Sequence, residues 1–599
     1  MYSNRYFLSF ISSLVLSVTA CAEPPSPFDS MSVSKAKETN TPFQQVASSE
    51  SNQTTADDHA NALAQKLQTE INKKNSPILH TVHDKSFLKR FYRQNSYQPL
   101  WIEASDFGGK AQSLLRAVEN DPTIIAKSKI HDEYLFLHKY LKSKQRNQDA
   151  LSIELRLSQL YLDVLEHTLY GKIDWKDFQR KLKAEKRKRI SGNWVPVKAS
   201  YKLSELMLKP NIQETLNAIK PKNFGYESLL TALQKLRELQ AKGGWEKLPE
   251  FKKLTLGDQG DNVIKLRDRL KASGDLGQCE QTGEKLFEST PTTEAPITFQ
   301  PEAIFDECLD AAVRKFQKRH GLEEDGIVGK GTQRAMNESV ESKIQKVLLN
   351  IDRIKWLPRE LGDRYLVVNI PEFMLHYIVD GKTQDQIRVI VGDKKHRTPI
   401  FNEKVSFIVL NPYWKVPMGI VKREIIPAMV RNPRYLAKEG LEIHTTWSEN
   451  SPKIDPSWLF WEDYYHGYEK FPYRIMQPPG KRNALGKIKF KFPNRFDVYL
   501  HDTPTKHLFK RTARAFSHGC IRVSEPYELF KKFSTFNDNI NLKKADKILK
   551  GKRQRQINIQ NKLPIHIVYL TAGYDAQTEE LQFREDVYRY DTLQNVDKY

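Results

Sequence analysis

Apolar residues in the first half of the chain recur at helical spacing. Intervals of three, four and seven place a set of leucines on one stripe of a helix. One such stripe consists of Leu151, Leu155, Leu162, Leu165 and Leu169. A second run extends from Leu229 to Leu239 and stops at Gly243-Gly244, a glycine pair typical of a helix end. The pattern predicts a helical domain over residues 78–250.

Residues 254–337 form a second unit, in which short helical runs are separated by glycine turns. Val263, Leu266 and Leu270 keep helical spacing, and Phe316 resumes the pattern after an insertion that holds Cys279. The glycines mark turns and the apolar residues mark one side of each helix. We therefore predict a small domain with a three-helix core.

From about residue 364 the apolar residues occur in short runs typical of strands. Residues 365–370 and 374–378 predict the start of a β-meander, with a turn after them at Asp380-Gly381. Further strand patterns lie at 404–410, 496–500 and 564–570, whereas residues 422–466 have the texture of helix and loop.

These patterns predict a mainly-β domain over residues 340–575 with an insertion, or lid, at about 422–480. A charged tail is predicted at 576–599. The chain as a whole is therefore expected to be a multidomain α+β protein, with helices first and the β domain last.

The N-terminus has the pattern of an export signal. Phe7 to Ala20 is uncharged and too short to span a bilayer comfortably, but it suits the core of a signal peptide. Val18-Thr19-Ala20-Cys21 resembles a bacterial lipobox, in which Cys21 is lipidated, and ordinary cleavage beside it is the alternative. We predict a signal peptide over residues 1–22. A flexible polar linker is predicted over 23–77, because such a segment has little to bury.

Composition narrows the class of partner. The 599 residues suggest three or four domains, and a hydrophobic content of 39% favours folded ones. A net charge of +22 fits nucleic acid, lipid headgroups or an acidic wall polymer. The export signal removes nucleic acid from that set. The expected location is the periplasm, either free or as a lipoprotein of the outer or inner membrane.

The four cysteines are expected to differ in their chemical state. Cys279 and Cys308 fall in one predicted domain, so an oxidising compartment allows a disulfide between them, although sequence does not fix the geometry. That pairing leaves Cys520 as a free thiol. In an exported protein such a thiol is either buried and inert or reactive.

The residues around Cys520 contain the parts that a thiol nucleophile requires. An imidazole, from His501 or His518, can take the thiol proton, and Gly519 allows close approach of the backbone. His501 follows an alternating strand pattern and precedes Pro504, which places it at a strand end. Backbone N–H groups near the sulfur can stabilise a developing oxyanion.

Three interpretations fit this spacing. The first is a structural cysteine beside a packed histidine, and the second is a cysteine acyltransferase. The third is a zinc site, for which the spacing lacks the usual paired-ligand rhythm. Its candidate ligands are His501, Asp502, His507, His518 and Cys520. Spacing alone does not rank the three.

The motifs resemble those of a known family. His501 followed by Ser517-His518-Gly519-Cys520 is similar to the active-site signature of the YkuD-type L,D-transpeptidase domain. The resemblance extends through residues 411–417, 478–486 and 489–494. Residues 254–337 resemble the peptidoglycan-binding type 1 domain, apart from the insertion. With the helical region, the chain resembles the large Gram-negative subfamily that carries a scaffold domain.

The resemblance implies roles for named residues. Cys520 would be the nucleophile and His501 its base, while Ser517 and His518 would shape the pocket. The N–H groups of Gly519 and Cys520 would form the oxyanion hole. Four further residues are expected to bind substrate: Arg522, Asp502, Trp414 and Asn483.

The implied reaction needs no metal or cofactor. Cys520 would attack a donor tetrapeptide stem of peptidoglycan to give a thioester, and an amine on a neighbouring stem would then form a 3-3 cross-link. Water as acceptor would make the enzyme an L,D-carboxypeptidase, and a protein amine would attach a protein to the wall. The resemblance also implies binding to wall glycan, acylation by carbapenems and a gating lid. A non-catalytic wall-binding scaffold is the alternative from another class.

Overall fold

A computed structural model of the protein describes residues 50–103, 106–143, 149–277 and 301–599. The predicted signal peptide, Cys21 and Cys279 lie outside these residues, so lipidation and the Cys279–Cys308 pairing stay predictions. None of the described helices has the length and apolar character that crossing a membrane requires.

The first part of the chain is helical, as predicted. Its elements are α1 (Glu50–Asn72), α2 (Lys85–Gln94), β1 (Ile102–Glu103), β2 (Asp106–Phe107), α3 (Gly109–Glu119), α4 (Lys129–Leu141), α5 (Ala150–Tyr170), α6 (Trp175–Arg187), α7 (Leu203–Met207), α8 (Ile212–Ile219) and α9 (Tyr226–Ala241). Helix α5 is buried around most of its circumference and forms the centre of this core.

Helix α1 corrects the predicted linker. It lies within residues 23–77, which were expected to be flexible, and it is helical from Glu50. Leu63, Leu67 and Ile71 are buried in the helical core. They recur every four residues, so their burial offsets the ordering cost that polar composition alone suggested could not be met.

The second unit has the predicted three-helix core. It contains α10 (Asp261–Ala272), α11 (Glu307–Arg319) and α12 (Lys330–Met336). Val263, Leu266 and Leu270 pack with Val313 and Phe316. The short helices share one small apolar centre, so each buries only one side.

The third part begins with α13 (Val340–Lys355), β3 (Arg364–Asn369), β4 (Met374–Val379), β5 (Lys382–Gly392) and β6 (Phe401–Leu410). The chain then leaves the sheet for an insertion and afterwards returns to it. The strands before and after the insertion are therefore neighbours in one sheet, although they are distant in sequence.

The insertion is a subdomain with its own sheet and core. Its elements are β7 (Trp414–Lys415), α14 (Met418–Ile420), a π-helical turn (Val421–Ile425), α15 (Ile426–Arg431), α16 (Tyr435–Glu439), β8 (Glu442–His444), β9 (Lys453–Ile454), α17 (Trp461–His466) and β10 (Arg474–Gln477). The four strands pair in the order β7-β10-β8-β9. We call residues 414–477 the lid subdomain; it starts earlier than the predicted residue 422, because β7 pairs with β10.

The chain then completes the main sheet. The elements are β11 (Ile488–Lys491), β12 (Leu500–His501), β13 (Ala515–Ser517), β14 (Ile521–Val523), α18 (Pro526–Ser534), α19 (Leu542–Lys550), β15 (Arg555–Val568), β16 (Ala572–Asp575), β17 (Glu580–Phe583) and α20 (Tyr590–Leu593). Nine strands follow the order β13-β5-β14-β12-β11-β6-β15-β3-β4, and β4 also pairs with β5. That extra pairing closes the sheet into a ring, which confirms the mainly-β expectation.

Residues 576–599 are part of the fold, so the prediction of a charged tail is wrong. Phe583, Val587, Tyr588 and Tyr590 are buried. Tyr588 and Tyr590 are part of the core of the main sheet. Aromatic burial outweighs the charged residues that interrupt this segment in sequence.

The helical region and the main sheet share a core. Two aromatic rings of α6 pack against rings outside that helix. Trp175 contacts Trp194 and Trp356, at ring-centroid distances of 5.5 and 5.2 Å. Phe178 contacts Trp194 and Tyr590, at 5.7 and 5.6 Å. The helices therefore support the β domain directly.

Candidate active site

Cys520 lies in a tight turn between β13 and β14. It is a free thiol and is half-buried. Gly519 has a φ of +110°, in the region that favours glycine, so the turn requires the residue found there. The Gly519 carbonyl accepts a hydrogen bond of 2.9 Å from the Thr398 hydroxyl, which also accepts from the Gly392 N–H at 2.8 Å. The turn is thereby tied to the end of β5.

Sheet register places three basic side chains side by side. His501 on β12 pairs with Arg522 on the parallel β14 and with Lys489 on the antiparallel β11. Because side chains alternate between the two faces of a strand, these three share one face. Their neighbours on the buried face are Phe490, Leu500 and Ile521. An apolar layer beneath therefore supports the floor of the site.

The His501 ring is held in one tautomer. Its Nδ1 lies 2.5 Å from the Asp502 carbonyl oxygen. A carbonyl can only accept, so Nδ1 carries the proton and Nε2 is left as the basic nitrogen. Sequence could not identify this partner, because it is a backbone atom. Burial, aided by the nearby Arg522 cation, lowers the pKa of His501 to about 3. The imidazole is therefore neutral at neutral pH.

Opposing effects act on the Cys520 thiol. Burial raises its pKa, whereas hydrogen bonding from Tyr499 and the positive charge of Lys489 oppose that rise. The resting pair is thus a neutral thiol and a neutral imidazole. A neutral imidazole with an unprotonated Nε2 can accept a proton, as a general base does.

Lys489 was not singled out in the sequence. Its ammonium lies 3.7 Å from the centroid of the Tyr499 ring. Burial lowers its pKa to about 8, and the nearby Cys520 acts in the opposite direction. The alternation of Lys489 with Phe490 is visible in sequence, but its pairing with His501 depends on long-range register.

Ser517 shapes the nucleophile turn. Its hydroxyl accepts from the Gly519 N–H at 3.1 Å and donates to the Cys520 carbonyl. The Gly519 N–H is therefore engaged within the turn, which differs from its predicted place in an oxyanion hole. Of the predicted pair of donors, the Cys520 N–H remains.

His518 is exposed and reaches the lid subdomain. Its Nε2 lies 2.8 Å from Oε1 of Glu424 in the π-helical turn. Its ring centroid lies 4.6 Å from that of His396, which contacts Asp393 at 3.1 Å. His518 thus links the nucleophile turn to the lid, and π-helical turns of this kind are frequent at functional sites.

Asp502 was predicted to bind substrate. In the structure its carboxylate accepts hydrogen bonds from neighbouring backbone groups. Its carboxylate accepts 2.8 Å hydrogen bonds from the N–H groups of Lys487 and Thr503 and lies 2.6 Å from the Lys506 ammonium. These contacts brace the loop that carries His501. A Cβ at Gly486 would lie 2.3 Å from the same carboxylate, so only glycine fits there.

Asn483 makes structural hydrogen bonds in the folded chain, and its predicted role in substrate binding stays a prediction. It is buried, and its amide nitrogen donates 3.0 Å hydrogen bonds to the carbonyls of Pro412, Gln477 and Pro478. Its side-chain oxygen accepts from the Leu485 N–H at 2.8 Å. The residue ties the two ends of the lid subdomain together, because every polar group of its side chain is used there.

Arg522 and Trp414 line a cleft of about 260 Å³ between the lid subdomain and the main sheet. Arg522 donates to the Thr505 hydroxyl at 3.1 Å, while its Nε is buried without a hydrogen-bond partner among the described residues. Cys520 and His501 do not line this cleft, which borders the catalytic pair at Arg522. The substrate role of Arg522 and Trp414 stays a prediction.

The candidate zinc ligands do not gather into a metal site. Within the described ranges, no three His, Cys, Asp or Glu side chains are placed to share an ion. The Asp502 carboxylate is already satisfied by backbone N–H groups. The paired strands instead bring together a thiol, a histidine protonated on Nδ1 and a lysine, residue types that are suited to acyl transfer.

Comparisons with known proteins agree with this chemistry. Residues 363–543 match the L,D-transpeptidase catalytic domain (YkuD), and residues 86–233 match the Scaffold domain. Residues 259–336 match the "Putative peptidoglycan binding domain". The three resemblances noted in the sequence are thereby confirmed.

Individual relatives cover part of the chain. A "Putative L,D-transpeptidase" of Haemophilus influenzae is 33% identical over 266 residues, which is 43% of this chain and 50% of the relative. The N-acetylmuramoyl-L-alanine amidase CwlM of Mycobacterium tuberculosis is 38% identical over 86 residues, 14% of this chain and 18% of the amidase. The chain thus spans about half the length of the first relative and less of the second.

A solved L,D-transpeptidase structure from Xylanimonas cellulosilytica is 15% identical and covers 53% of this chain and 99% of its own, with a TM-score of 0.16. So low a score carries no weight beside the domain matches and the motif residues. Residues 363–543 are thus similar to the L,D-transpeptidase catalytic domain (YkuD), and matches to a Scaffold domain and a putative peptidoglycan binding domain precede them in the chain.

Proposed function

We propose that the chain is a peptidoglycan L,D-transpeptidase that forms 3-3 cross-links through a thioester on Cys520. The observation that carries the proposal is that a half-exposed free thiol directly precedes β14, next to the paired strand β12, which ends at His501 with its proton fixed on Nδ1. A thiol nucleophile needs a neighbouring base in this protonation state.

In the first half-reaction, His501 Nε2 removes the thiol proton while the sulfur attacks the carbonyl of the third residue of a donor tetrapeptide. The carbonyl oxygen becomes an oxyanion, which the Cys520 N–H is placed to stabilise. Collapse of this intermediate breaks the C–N bond. The terminal D-amino acid leaves with the proton that His501 returns, and the thioester remains.

In the second half-reaction an amine attacks the thioester. His501 takes a proton from the attacking nitrogen, and the sulfur leaves and is reprotonated. The side-chain amine of a neighbouring stem gives a 3-3 cross-link. Water in its place gives an L,D-carboxypeptidase, and a protein amine gives attachment to the wall. Two acyl transfers replace one direct amide exchange with a high barrier.

The site of action is proposed to be the periplasm, with Cys21 as a lipid anchor. The support is the uncharged stretch before Val18-Thr19-Ala20-Cys21. Labelling of expressing cells with a fatty-acid analogue tests the anchor. Label that persists in Cys21→Ser would contradict it, whereas loss of the label in this variant alone would support it.

The nucleophile is tested by intact-protein mass after incubation with a carbapenem. Wild type should gain one adduct and Cys520→Ala none. A Ser524→Ala variant, altered at the opposite end of β14 from the thiol, should behave as wild type. Absence of an adduct on folded wild type would favour a non-catalytic wall-binding scaffold.

The acceptor is tested with purified tetrapeptide stems. Cross-linked dimers support transpeptidation, and tripeptide alone indicates that water is the acceptor. The Cys520→Ala variant must give neither product. Mass spectrometry distinguishes the two, because a cross-link joins two stems whereas hydrolysis only shortens one.

A further inference from the structure

Lys489 is a cation that lies beside the catalytic pair. Strand register places it on β11 directly opposite His501, on the face of the sheet that carries the site. It is half-buried, and its ammonium lies 3.7 Å from the centroid of the Tyr499 ring. Among the described residues, this ammonium has neither a hydrogen bond nor an ion pair with a carboxylate. A partly buried cation without a counter-ion costs free energy, which is typical of groups kept at functional sites.

The neighbouring cation on β14 is held differently. Arg522 pairs with His501 from the other side, and its guanidinium donates to the Thr505 hydroxyl at 3.1 Å. Lys489 instead lies against the face of an aromatic ring. A ring face attracts a cation but does not neutralise it. The charge of Lys489 therefore remains available to an anion that forms nearby.

The Cys520 thiol contacts the loop that carries this aromatic ring. Its Sγ donates to the Asp497 carbonyl oxygen, at a sulfur–oxygen distance of 3.7 Å. Asp497 has a φ of +53°, which is uncommon for a residue other than glycine, and the Asn494 side chain accepts hydrogen bonds from two N–H groups of the same loop. Tyr499 also hydrogen-bonds to the thiol. The loop thus holds the sulfur on the side of the site where Tyr499 and Lys489 lie.

The lysine and the thiol each favour the charged form of the other. Burial lowers the pKa of Lys489 to about 8, and the nearby Cys520 sulfur opposes that change. Burial raises the pKa of the thiol, and the Lys489 cation opposes that rise. The charged and titratable groups around the lysine are Lys491 on β11, Lys415 on β7, Asp497 and Tyr499 in the loop before β12, His501 on β12, and Cys520 and Arg522 at β14.

We propose that Lys489 is a positioning residue of the reaction, which supports Tyr499 beside the thiol and stabilises the negative charge on the Cys520 sulfur. The role in a reaction rests on the proposed function, while the contacts around the thiol stand on the structure.

Lys489 stays protonated through both half-reactions. In the first, the thiol proton passes to His501 Nε2 while the S–C bond forms, and the cation faces the charge that develops on sulfur. In the second, the amine attacks, the S–C bond breaks and the same cation faces the departing thiolate until it is reprotonated. Lys489 therefore assists both the attack and the departure of the sulfur.

The test is the pH dependence of Cys520 alkylation by iodoacetamide, followed at this residue by peptide mass spectrometry of the full chain. Iodoacetamide reacts with the thiolate, so the rate reports how much of the thiol is ionised. Lys489→Met should react about ten-fold more slowly than wild type at pH 7, because its thiol pKa rises by about one unit. Lys489→Arg, which keeps the charge, should stay within about three-fold of wild type. An unchanged pH profile in Lys489→Met would overturn the proposal.

The titration of the lysine itself gives a second signature. Wild type loses the cation as pH rises past about 8, whereas a guanidinium at this position stays charged. The alkylation rate of Lys489→Arg relative to wild type should therefore rise above pH 8. This comparison remains decisive if Lys489→Met does not fold. A rate ratio that stays constant across this range would contradict the role of the charge.

The matched control is Lys404→Met, at an exposed lysine on β6, the strand beside β11. Its alkylation profile should follow that of wild type. Urea unfolding of each variant separates stability from reactivity. A lower unfolding midpoint in Lys489→Met with an unchanged alkylation profile would show that the lysine is only structural, and the proposal would fail.

The carbapenem adduct keeps the two proposals apart, because alkylation requires the thiol but no acyl transfer. If the profile of Lys489→Met shifts and wild type forms no carbapenem adduct, the transpeptidase proposal fails and the effect of Lys489 on the thiol stands. If the adduct forms and the profile does not shift, the role of Lys489 fails and the nucleophile stands.

Discussion

The floor of the active site and the lid subdomain are held by different means. Buried hydrogen bonds fix the loops around His501 and Cys520: the side chains of Asp502 and Ser517 accept from backbone N–H groups, and the Thr398 hydroxyl donates to a backbone carbonyl. The lid instead has its own core and meets the nucleophile turn through the partly exposed pair of Glu424 and His518. The loops around His501 and Cys520 are therefore held by contacts that do not involve the lid subdomain, whereas the lid meets the turn at Cys520 through a contact that solvent can weaken.

The strongest test of the floor is removal of the base. His501→Gln should lower the rate of carbapenem acylation by about 10²–10⁴-fold, because glutamine cannot take the thiol proton as the neutral imidazole can. Time-resolved intact mass measures the rate. His518→Gln, at the exposed histidine that faces the lid, is the control and should change the rate only a few-fold. Equal losses would place His518 in the proton transfer and break the distinction.

The second test adds a methyl group at Gly486, next to the Asp502 carboxylate. Gly486 has a φ of +59°, and a Cβ would meet the Asp502 carboxylate. Gly486→Ala should therefore lower the free energy of unfolding by about 2–4 kcal/mol. Gly480→Ala is the matched control, because a Cβ added at that glycine would meet no atom within 4 Å. Similar denaturation midpoints for the two variants would contradict the role of Asp502 as a brace.

Lowering the pH should reduce the free energy of unfolding through the titration of His501. Its pKa is about 3 in the folded state and near 6.5 when unfolded, so the unfolded chain binds the extra proton. Stability from this group is complete above pH 6.5 and is lost as pH falls towards 3. Wild type should lose about 3 kcal/mol more than His501→Gln between pH 7 and pH 4, measured by urea unfolding. If the unfolding free energies of the two proteins change in parallel with pH, the pH dependence does not come from His501.

The last residues of the chain should matter to the floor as well. The Tyr588 hydroxyl accepts from the Thr398 N–H at 3.1 Å and donates to the Gly392 carbonyl at 2.7 Å. Tyr588→Phe leaves both groups buried and unpaired, at a cost of about 1–3 kcal/mol in stability. Thermal unfolding measures the cost. A midpoint equal to wild type would show that this support is dispensable.

The smallest effect is expected at the lid contact. Glu424→Gln should change the free energy of unfolding by less than about 1 kcal/mol, because both partners are partly exposed. Acylation should change at most a few-fold. A large fall in the unfolding midpoint would mean that the lid is an integral part of the floor, which would remove the contrast between the two regions.

The same contrast explains what sequence could predict. The leucine stripes and the His501–Cys520 motif are local patterns, and local periodicity was enough to place helices and the reacting residues. Helix α1 carried a similar signal in Leu63, Leu67 and Ile71, which the polar composition around it obscured.

Contacts between distant segments could not be predicted from the sequence. Asp502 and Asn483 are polar residues beside the motif, and sequence could not show that backbone groups hydrogen-bond to their side chains. Lys489 reaches the site only through strand register. The charged residues of 576–599 predicted a tail because the partners of this segment lie far away along the chain.

Tyr588 has a consequence for the timing of activity. It follows the nucleophile in sequence, and the turn at Gly519 depends on Thr398, which the tyrosine supports. During synthesis the thiol emerges before this support exists. The turn that holds Cys520 therefore gains this support only after the chain has been made as far as Tyr588.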